Sequence, residues 1–187
     1  MQNMMERVMG LLEAIAIQFT RIDDRALRTG FSGRNVTCET LILVDEKRCR
    51  IEIYSPCPAS IPRRRLQAMM ELIARSNSEL VMGHFDLHPE QGRLIMTTSI
   101  ILGTADLDSE ILRHLLFANW AAMDAHFPAI TAVLSGAVSP KEAIGRLGDE
   151  AEPGNNNASE TTEVNPQPRI HRPFGGRFGR ITGMSDN

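Results

Sequence analysis

The stretch GHFDLHPEQGRLIMTTSIIL, residues 83–102, shows how this chain builds its sheet. Phe85 and Leu87 alternate with polar residues, which is the period-two pattern of a strand that buries one face. The five residues 88–92, HPEQG, fit a turn whose final glycine supplies a left-handed position. The apolar run 93–102 predicts the returning strand. The stretch therefore predicts an antiparallel hairpin.

A second hairpin is predicted upstream. Residues 36–44 are rich in Val, Thr, Ile and Leu, 48–55 alternate apolar with polar side chains, and 45–47, DEK, fit the turn between them. A further strand is predicted over 26–32. The alternation within 48–55 is typical of a sheet that is covered on one side only. The apolar face of this strand consists of Cys49, Ile51 and Ile53.

Two helices are predicted before and after these three strands in the chain. Apolar residues at spacings of three and four indicate a first helix over about residues 5–19. A second helix is predicted to begin near Pro62, with Ser60 as its cap, and to run to about Asn77.

A long third helix is predicted from Asp106 or Asp108 to Phe127, because Pro128 breaks or kinks a helix. The sequence SPKE at 139–142 combines a capping box with a proline in the first turn, which predicts a short fourth helix. The element order is thus α-β-β-β-α-β-β-α-α. Because the strands are grouped in hairpins, the sequence predicts an α+β domain with an antiparallel sheet of about five strands packed against helices.

Gly148 is predicted to end the last helix, and the composition changes there. Residues 149–163 hold five acidic residues and no Lys or Arg, and residues 169–183 hold four Arg and no acid. Such segments have too few large apolar residues to offset the entropy of an ordered chain. We therefore divide the chain into an α+β domain over 1–148 and a disordered tail over 149–187.

The composition argues against several classes of protein. The net charge is −3 and the pI is about 6.0, which argues against a broadly basic surface for nucleic acids. No apolar run approaches the roughly 20 residues that cross a bilayer, and the N-terminus lacks the pattern of an export signal. The cysteines, Cys38, Cys49 and Cys57, form no C-x-x-C pair. We therefore expect a cytoplasmic protein with reduced thiols and no membrane partner.

The strongest enzyme-like cluster is His84, Asp86 and His88, which lie on one face of a predicted strand. Three such side chains can point the same way toward a metal ion. However, the alternation places Phe85 and Leu87 in the core, which leaves the trio on the solvated face. We expect no metal and no other cofactor here.

The third helix carries a second polar group, in which His114 and His126 accompany Asn119 and Asp124. A general acid or base would need a pocket and a partner, and the sequence indicates neither. We interpret Asn119 and Asp124 as buried polar groups that fix the helix against the sheet or against a second subunit. The chain also lacks the phosphate-binding, nucleophile-elbow and zinc-protease motifs. We therefore expect no catalytic residues and no enzyme.

The runs NSELVMGHFDLHPEQGRLIMTTSIIL (77–102) and DAHFPAITAVLSGAVSPKEAI (124–144) resemble the YbjN family. The positions that carry the resemblance are Asn77, Gly83, Phe85, Gly92, Asp124, Phe127, Pro128 and Gly136. The likeness covers roughly residues 5–147. It implies a type III secretion chaperone-like fold, a domain that is often dimeric, and a role in holding peptides or partner proteins. It implies no catalytic residue.

Two basic segments are candidates for partner binding. The second helix begins with three cations, Arg63, Arg64 and Arg65. Their positive charges are repelled by the positive end of the helix dipole, and an anionic partner would offset this repulsion. The alternative is that they extend into water and are screened. The stretch RPFGGRFGR at 172–180 could touch phosphates and bases, dock on a protein, or be a plain terminus. The candidate residues there are Arg172, Phe174, Arg177, Phe178 and Arg180.

These observations favour a non-enzymatic protein of chaperone-like or regulatory type that binds a protein or peptide and forms a homodimer. The partner's apolar side chains would be buried against exposed helix or sheet surface, with edge-strand pairing as a further contact. Ten methionines would suit such a surface if some are exposed, although core filling is their default role. The alternative is a regulator that binds nucleic acid or an acidic partner through the tail.

Overall fold

The computed structural model describes residues 3–103 and 106–151, with the backbone alone for 148–151. The strands are β1 (Thr20–Arg21), β2 (Ala26–Ser32), β3 (Thr37–Asp45), β4 (Arg50–Pro56), β5 (His84–His88) and β6 (Arg93–Ile101). The helices are α1 (Met4–Ala14), α2 (Leu66–Glu79), α3 (Ser109–Ser135) and α4 (Pro140–Ala151). A 3-10 turn, Arg63–Arg65, leads into α2.

The strands form one sheet in the order β1-β2-β3-β4-β6-β5, and every neighbouring pair is antiparallel. The α+β prediction and both hairpins are therefore confirmed. The structure adds a sixth strand, β1, which is only two residues long and too short to give a periodic signal.

The core lies between the helices and one face of the sheet. Ile42, Ile51 and Ile53 are fully buried there, and the long helix α3 crosses above them and contacts β4 and β6. On the opposite face, the register of β3 and β4 places Glu52 beside Leu43, and it places the oppositely charged Asp45 and Arg50 beside each other. The prediction of a sheet covered on one side is thus confirmed for the described elements.

Pro128 does not break α3, which continues to Ser135, so the predicted end at Phe127 is wrong. The start at Asp108 is confirmed, because its carboxylate accepts a hydrogen bond of 2.8 Å from the Ile111 amide. Proline removes one helical N–H donor, and the side-chain amide of Asn35 supplies another to the carbonyl oxygen of Asp124.

Three further boundaries differ from prediction. The first helix ends at Ala14, where Ala16 takes a positive φ of 58° and turns the chain toward β1. Ser60 does not cap α2, because the chain enters that helix through the 3-10 turn. The last helix runs past Gly148 to Ala151. Its predicted capping box is confirmed by hydrogen bonds between Ser139 and Glu142.

No helix in the described part of the chain is long and apolar enough to cross a membrane. The tail was predicted to be disordered, and its residues from 152 onward lie outside the described range. The division of the chain at residue 148 therefore stays a prediction.

Candidate partner-binding site

The face of the sheet that no described helix covers is polar at its β5 end. The Nε2 atom of His84 lies 3.2 Å from the Oδ2 atom of Asp86. The hydroxyl of Thr97 on β6 donates to the same carboxylate at 2.9 Å. Both members of the pair are about half exposed, which confirms a solvated polar face here. Within the described residues, no group of three or more His, Cys, Asp or Glu side chains could hold a metal ion.

The middle of this face is covered by its own long side chains. Arg50 pairs with Glu52 at 3.1 Å, and Tyr54 donates a hydrogen bond to Glu52. Burial raises the pKa of Tyr54, and the bond to the Glu52 carboxylate raises it further. Leu41 and Ile95 are nearly inaccessible beneath this layer. The face therefore carries charged side chains that pair with one another, although the buried Nε of Arg50 has no hydrogen-bond partner among the described residues.

Asn77, near the end of α2, caps the β5 edge of the sheet at Phe85. Its side-chain amide donates to the carbonyl oxygen of Phe85 at 3.1 Å, and its oxygen accepts from the Phe85 amide at 2.7 Å. One side chain thus binds both outward-facing backbone groups of Phe85, as a neighbouring strand would. Such a contact prevents another chain from pairing with this residue.

The edge of β6 beyond β5 has no such cover. The β5 strand pairs with β6 only as far as Thr97, whereas β6 continues to Ile101. The backbone N–H and C=O groups of Phe85 point away from β6. This direction alternates along both strands of an antiparallel pair, so the odd-numbered residues of β6 are those whose backbone groups point toward β5. The N–H and C=O groups of Ser99 and Ile101 therefore face outward, and no described residue bonds them.

Apolar side chains lie beside this free edge. Ile101 is 71% exposed. In the loop that leads from α2 to β5, Val81 is fully exposed and Met82 is 42% exposed. Gly83 holds a φ of 78° and passes so close to Thr97 and Thr98 that a Cβ atom would clash. The tight passage brings the loop against β6. We call this group, Val81, Met82, Ser99 and Ile101, the β6 shoulder.

The β6 shoulder escaped sequence analysis because an exposed apolar residue looks the same as a buried one in a sequence. One signal was present, since the predicted strand 93–102 is much longer than its hairpin partner. A hairpin with unequal arms leaves part of the longer arm unpaired.

Asp124, on α3, fastens the loop between β2 and β3. Its carboxylate accepts hydrogen bonds from the backbone amides of Arg34, Asn35 and Val36 at 2.8–3.0 Å. Gly33 passes so close to this carboxylate that any side chain there would clash. Asp124 thus has the structural role that was predicted, but it is only partly buried, and it fixes the helix to a loop and not directly to the sheet.

Asn119 and Trp120 fix the same helix to the middle of the sheet. The Asn119 amide donates to the carbonyl oxygens of Ile53 and Met96 at 3.1 and 3.0 Å. The indole N–H of Trp120 donates to the Thr40 hydroxyl at 2.9 Å, and that hydroxyl shares a 2.7 Å hydrogen bond with another buried hydroxyl, on Ser55. These buried contacts confirm the structural interpretation of Asn119.

The two histidines of α3 lie in different surroundings. His114 is exposed, whereas the ring of His126 packs on Phe85 with a centroid separation of 5.2 Å. Burial lowers the pKa of His126, and a hydrogen bond to the Ala122 carbonyl and the charge of Glu79 oppose that shift.

The predicted arginine cluster divides into two parts. Arg65 donates to the carbonyl oxygen of Ser135 at 3.1 Å, which places its charge at the negative end of the α3 dipole. Arg63 and Arg64 are exposed and form no ion pair with a described residue. The tail candidates, Arg172, Phe174, Arg177, Phe178 and Arg180, lie outside the described residues.

Two of the three cysteines are held as thiols by their surroundings. Cys38 is buried in β3, and burial, together with Cys57 and Asp124, raises its pKa to about 12. Burial also raises the pKa of Cys57. Cys49 was predicted to lie on the apolar face of a strand, and this is wrong: it lies in the turn before β4, because its φ of 50° does not fit a strand.

Comparison with known proteins adds a family. Residues 5–132 match the model of the family YbjN, described as "putative bacterial sensory transduction regulator". Among solved structures, YbjN from E. coli has a TM-score of 0.48 and 10% identity, covering 71% of this chain and 90% of that one. The ExsC–ExsE complex has a TM-score of 0.45 and 12% identity, covering 68% and 96%. No curated protein matches the chain.

Proposed function

This chain belongs to the YbjN family, and from that premise we propose that it is a regulator that acts by binding a protein or peptide partner, without catalysis. The family description, a sensory transduction regulator, supports a regulatory role. The raised thiol pKa values and the solvated position of the His84–Asp86 pair favour binding over chemistry.

The observation that carries the proposal is the β6 shoulder. Unpaired backbone groups at Ser99 and Ile101 accept an extended peptide as an added strand, and the adjoining apolar side chains bury the partner's apolar residues. Main-chain hydrogen bonds supply affinity in such contacts, and side-chain contacts supply specificity. The cap at Phe85 supports this location, because an added strand that pairs with the end of β6 cannot continue along β5 past that residue.

The test is a crosslinked pull-down from the native cell with the full-length protein and two variants. Ile101→Asp places a charge in the β6 shoulder. Ile22→Asp is the matched control, because Ile22 is an exposed apolar residue (49%) near β1, at the other side of the sheet. We expect wild type and the control to capture the same partner and Ile101→Asp to lose it. Equal capture by all three proteins would contradict the proposal.

We further propose that the protein forms a homodimer in the cytoplasm, as the family resemblance implies. Sedimentation velocity over a hundredfold range of concentration measures this directly. A single species of monomer mass at every concentration would remove the dimer and leave the partner site untouched.

A second candidate function is binding of nucleic acid or an acidic partner through basic residues. It is favoured by the exposed Arg63 and Arg64, which no described acid neutralises, and by the four arginines of residues 169–183. Binding of this kind weakens steeply with salt. The test is titration with single-stranded RNA at two salt concentrations, with Arg172, Arg177 and Arg180 replaced by Gln. A salt-independent affinity that survives the replacement would exclude it.

A further inference from the structure

We propose that the β6 shoulder is occupied, in the resting protein, by residues 177–181 of the same chain, RFGRI, added to the sheet as a short strand beside Ser99–Ile101. The inference rests on the proposed function, since it names the segment that occupies the partner site until a partner displaces it. The tail would then act as a competitor that the partner must remove.

The free edge of β6 has the hydrogen-bonding groups that pair with an extended backbone. Ser99 and Ile101 present alternating N–H and C=O groups along one line, and no described residue bonds them. An adjacent strand supplies the same alternation in the complementary order. The uncovered part of β6 is only a few residues long, so a five-residue segment is sufficient to pair with it.

The segment 177–181 also has suitable side chains. Successive residues of a strand point to opposite faces, so Phe178 and Ile181 project to different sides of the added strand. Apolar partners exist for both, since Ile101 projects from the open face of the sheet and the loop with Val81 and Met82 adjoins the same edge.

The charge beside the loop is complementary to the segment. Glu79 ends α2 immediately before the loop of the β6 shoulder, and it forms no ion pair with a described residue. Arg177 and Arg180 in the segment would bring positive charge to this acidic residue. Exposed pairs of this kind are weak, so they select the segment more than they hold it.

The chain is long enough to reach. Helix α4 ends at Ala151, and 25 residues separate it from Arg177. An extended chain of that length spans about 85 Å. A domain of this size is about 40 Å across, as estimated from its expected radius of gyration. A tethered segment also has an effective concentration in the millimolar range, so even a weak contact is populated.

The experiment is residue-specific amide hydrogen exchange, by NMR, on the full-length protein. The reporters are the amides of Ser99 and Ile101, and the Phe85 amide, already bonded by Asn77, is the internal reference. The double variant Phe178→Asp/Ile181→Asp removes the apolar contacts of the segment. Phe174→Asp, in the same tail but outside the segment, is the matched control.

We expect Ser99 and Ile101 to be protected in wild type and in the control, and to exchange at least tenfold faster in the double variant. Fast exchange in wild type would overturn the inference, as would protection that the double variant retains. Protection that grows with protein concentration would also overturn it, because the strand would then come from a second copy.

Failure of this inference and failure of the proposed function are separable. If the tail does not protect β6 but Ile101→Asp still abolishes partner capture, the site exists without its internal occupant. If the tail protects β6 but Ile101→Asp leaves capture unchanged, the partner site lies elsewhere.

Discussion

The side-chain amide of Asn35 donates a 3.0 Å hydrogen bond to the backbone carbonyl oxygen of Asp124. In a regular helix that oxygen would accept from the residue four positions later, which here is Pro128 and has no N–H. A loop 89 residues away in sequence therefore supplies the missing donor and allows α3 to continue through the proline.

Replacing Asp124 by Ala is expected to lower the free energy of unfolding by about 2 kcal/mol or more. Three backbone amides lose a charged acceptor, and hydrogen bonds to charged groups contribute about 1.5–3 kcal/mol. Urea denaturation followed by the fluorescence of Trp120, the single tryptophan, measures the change. The control is Asp24→Ala, which removes a fully exposed partner of Arg21 and is expected to cost less than about 1 kcal/mol. Equal losses would contradict the role of Asp124.

Replacing Asn77 by Ala should open the β5 edge. The Phe85 amide then loses its acceptor, so its hydrogen exchange should accelerate sharply, and stability should fall by about 1–2 kcal/mol. We also expect more self-association, because a free strand edge pairs with other chains. Ser78→Ala, which removes an exposed hydroxyl on the next residue, serves as the control. An unchanged exchange rate at Phe85 would refute the edge-capping role.

The variant Thr40→Val should destabilise the protein by about 1–3 kcal/mol, although it keeps the shape of the side chain. It leaves the Trp120 indole N–H buried without an acceptor and removes the partner of Ser55. Ser55→Ala should cost less, because the Thr40 hydroxyl can still accept from Trp120. Thermal unfolding of the two variants measures which substitution costs more stability. A larger loss for Ser55→Ala than for Thr40→Val would contradict the central position of Thr40 in these hydrogen bonds.

Stability should fall as the pH decreases below about 6.5, partly through His126. Burial holds the pKa of this imidazole below its ordinary value of 6.5 in the folded state, so the unfolded chain takes up the proton first. Between 6.5 and the lower folded value, acid therefore favours unfolding. The His126→Gln variant should show a shallower loss between pH 7 and 5, measured by urea denaturation at each pH. His114→Gln, at an exposed site, should follow wild type. Parallel curves for all three would exclude this contribution.

Local patterns predicted much of the fold. The hairpins at 36–55 and 84–102, a helix start at Asp106 or Asp108 and the capping box at Ser139 depend on neighbouring residues, and the structure contains both hairpins, the start at Asp108 and the capping box. The errors fall where a distant group decides the outcome. Pro128 looked like a helix end because its compensating donor, on Asn35, lies in another element.

The candidate site depended even more on long-range contacts. Arg63, Arg64 and Arg65 are alike in sequence, yet only Arg65 reaches the end of α3, 70 residues away. In the same way, Ile101 is the type of residue that usually lies in a core, and it is exposed because β6 continues beyond the end of its partner β5.

Apart from the two-residue strand β1, the sequence alone determined the type and order of the helices and strands, because backbone propensity, periodicity and capping act over a few residues. The tertiary structure alone decided which strand edge is closed by Asn77, which part of β6 is open, and which polar residues fasten α3. Those properties arise when elements far apart in the chain meet, since a hydrogen-bond donor or an apolar side chain is satisfied or exposed only by what packs against it.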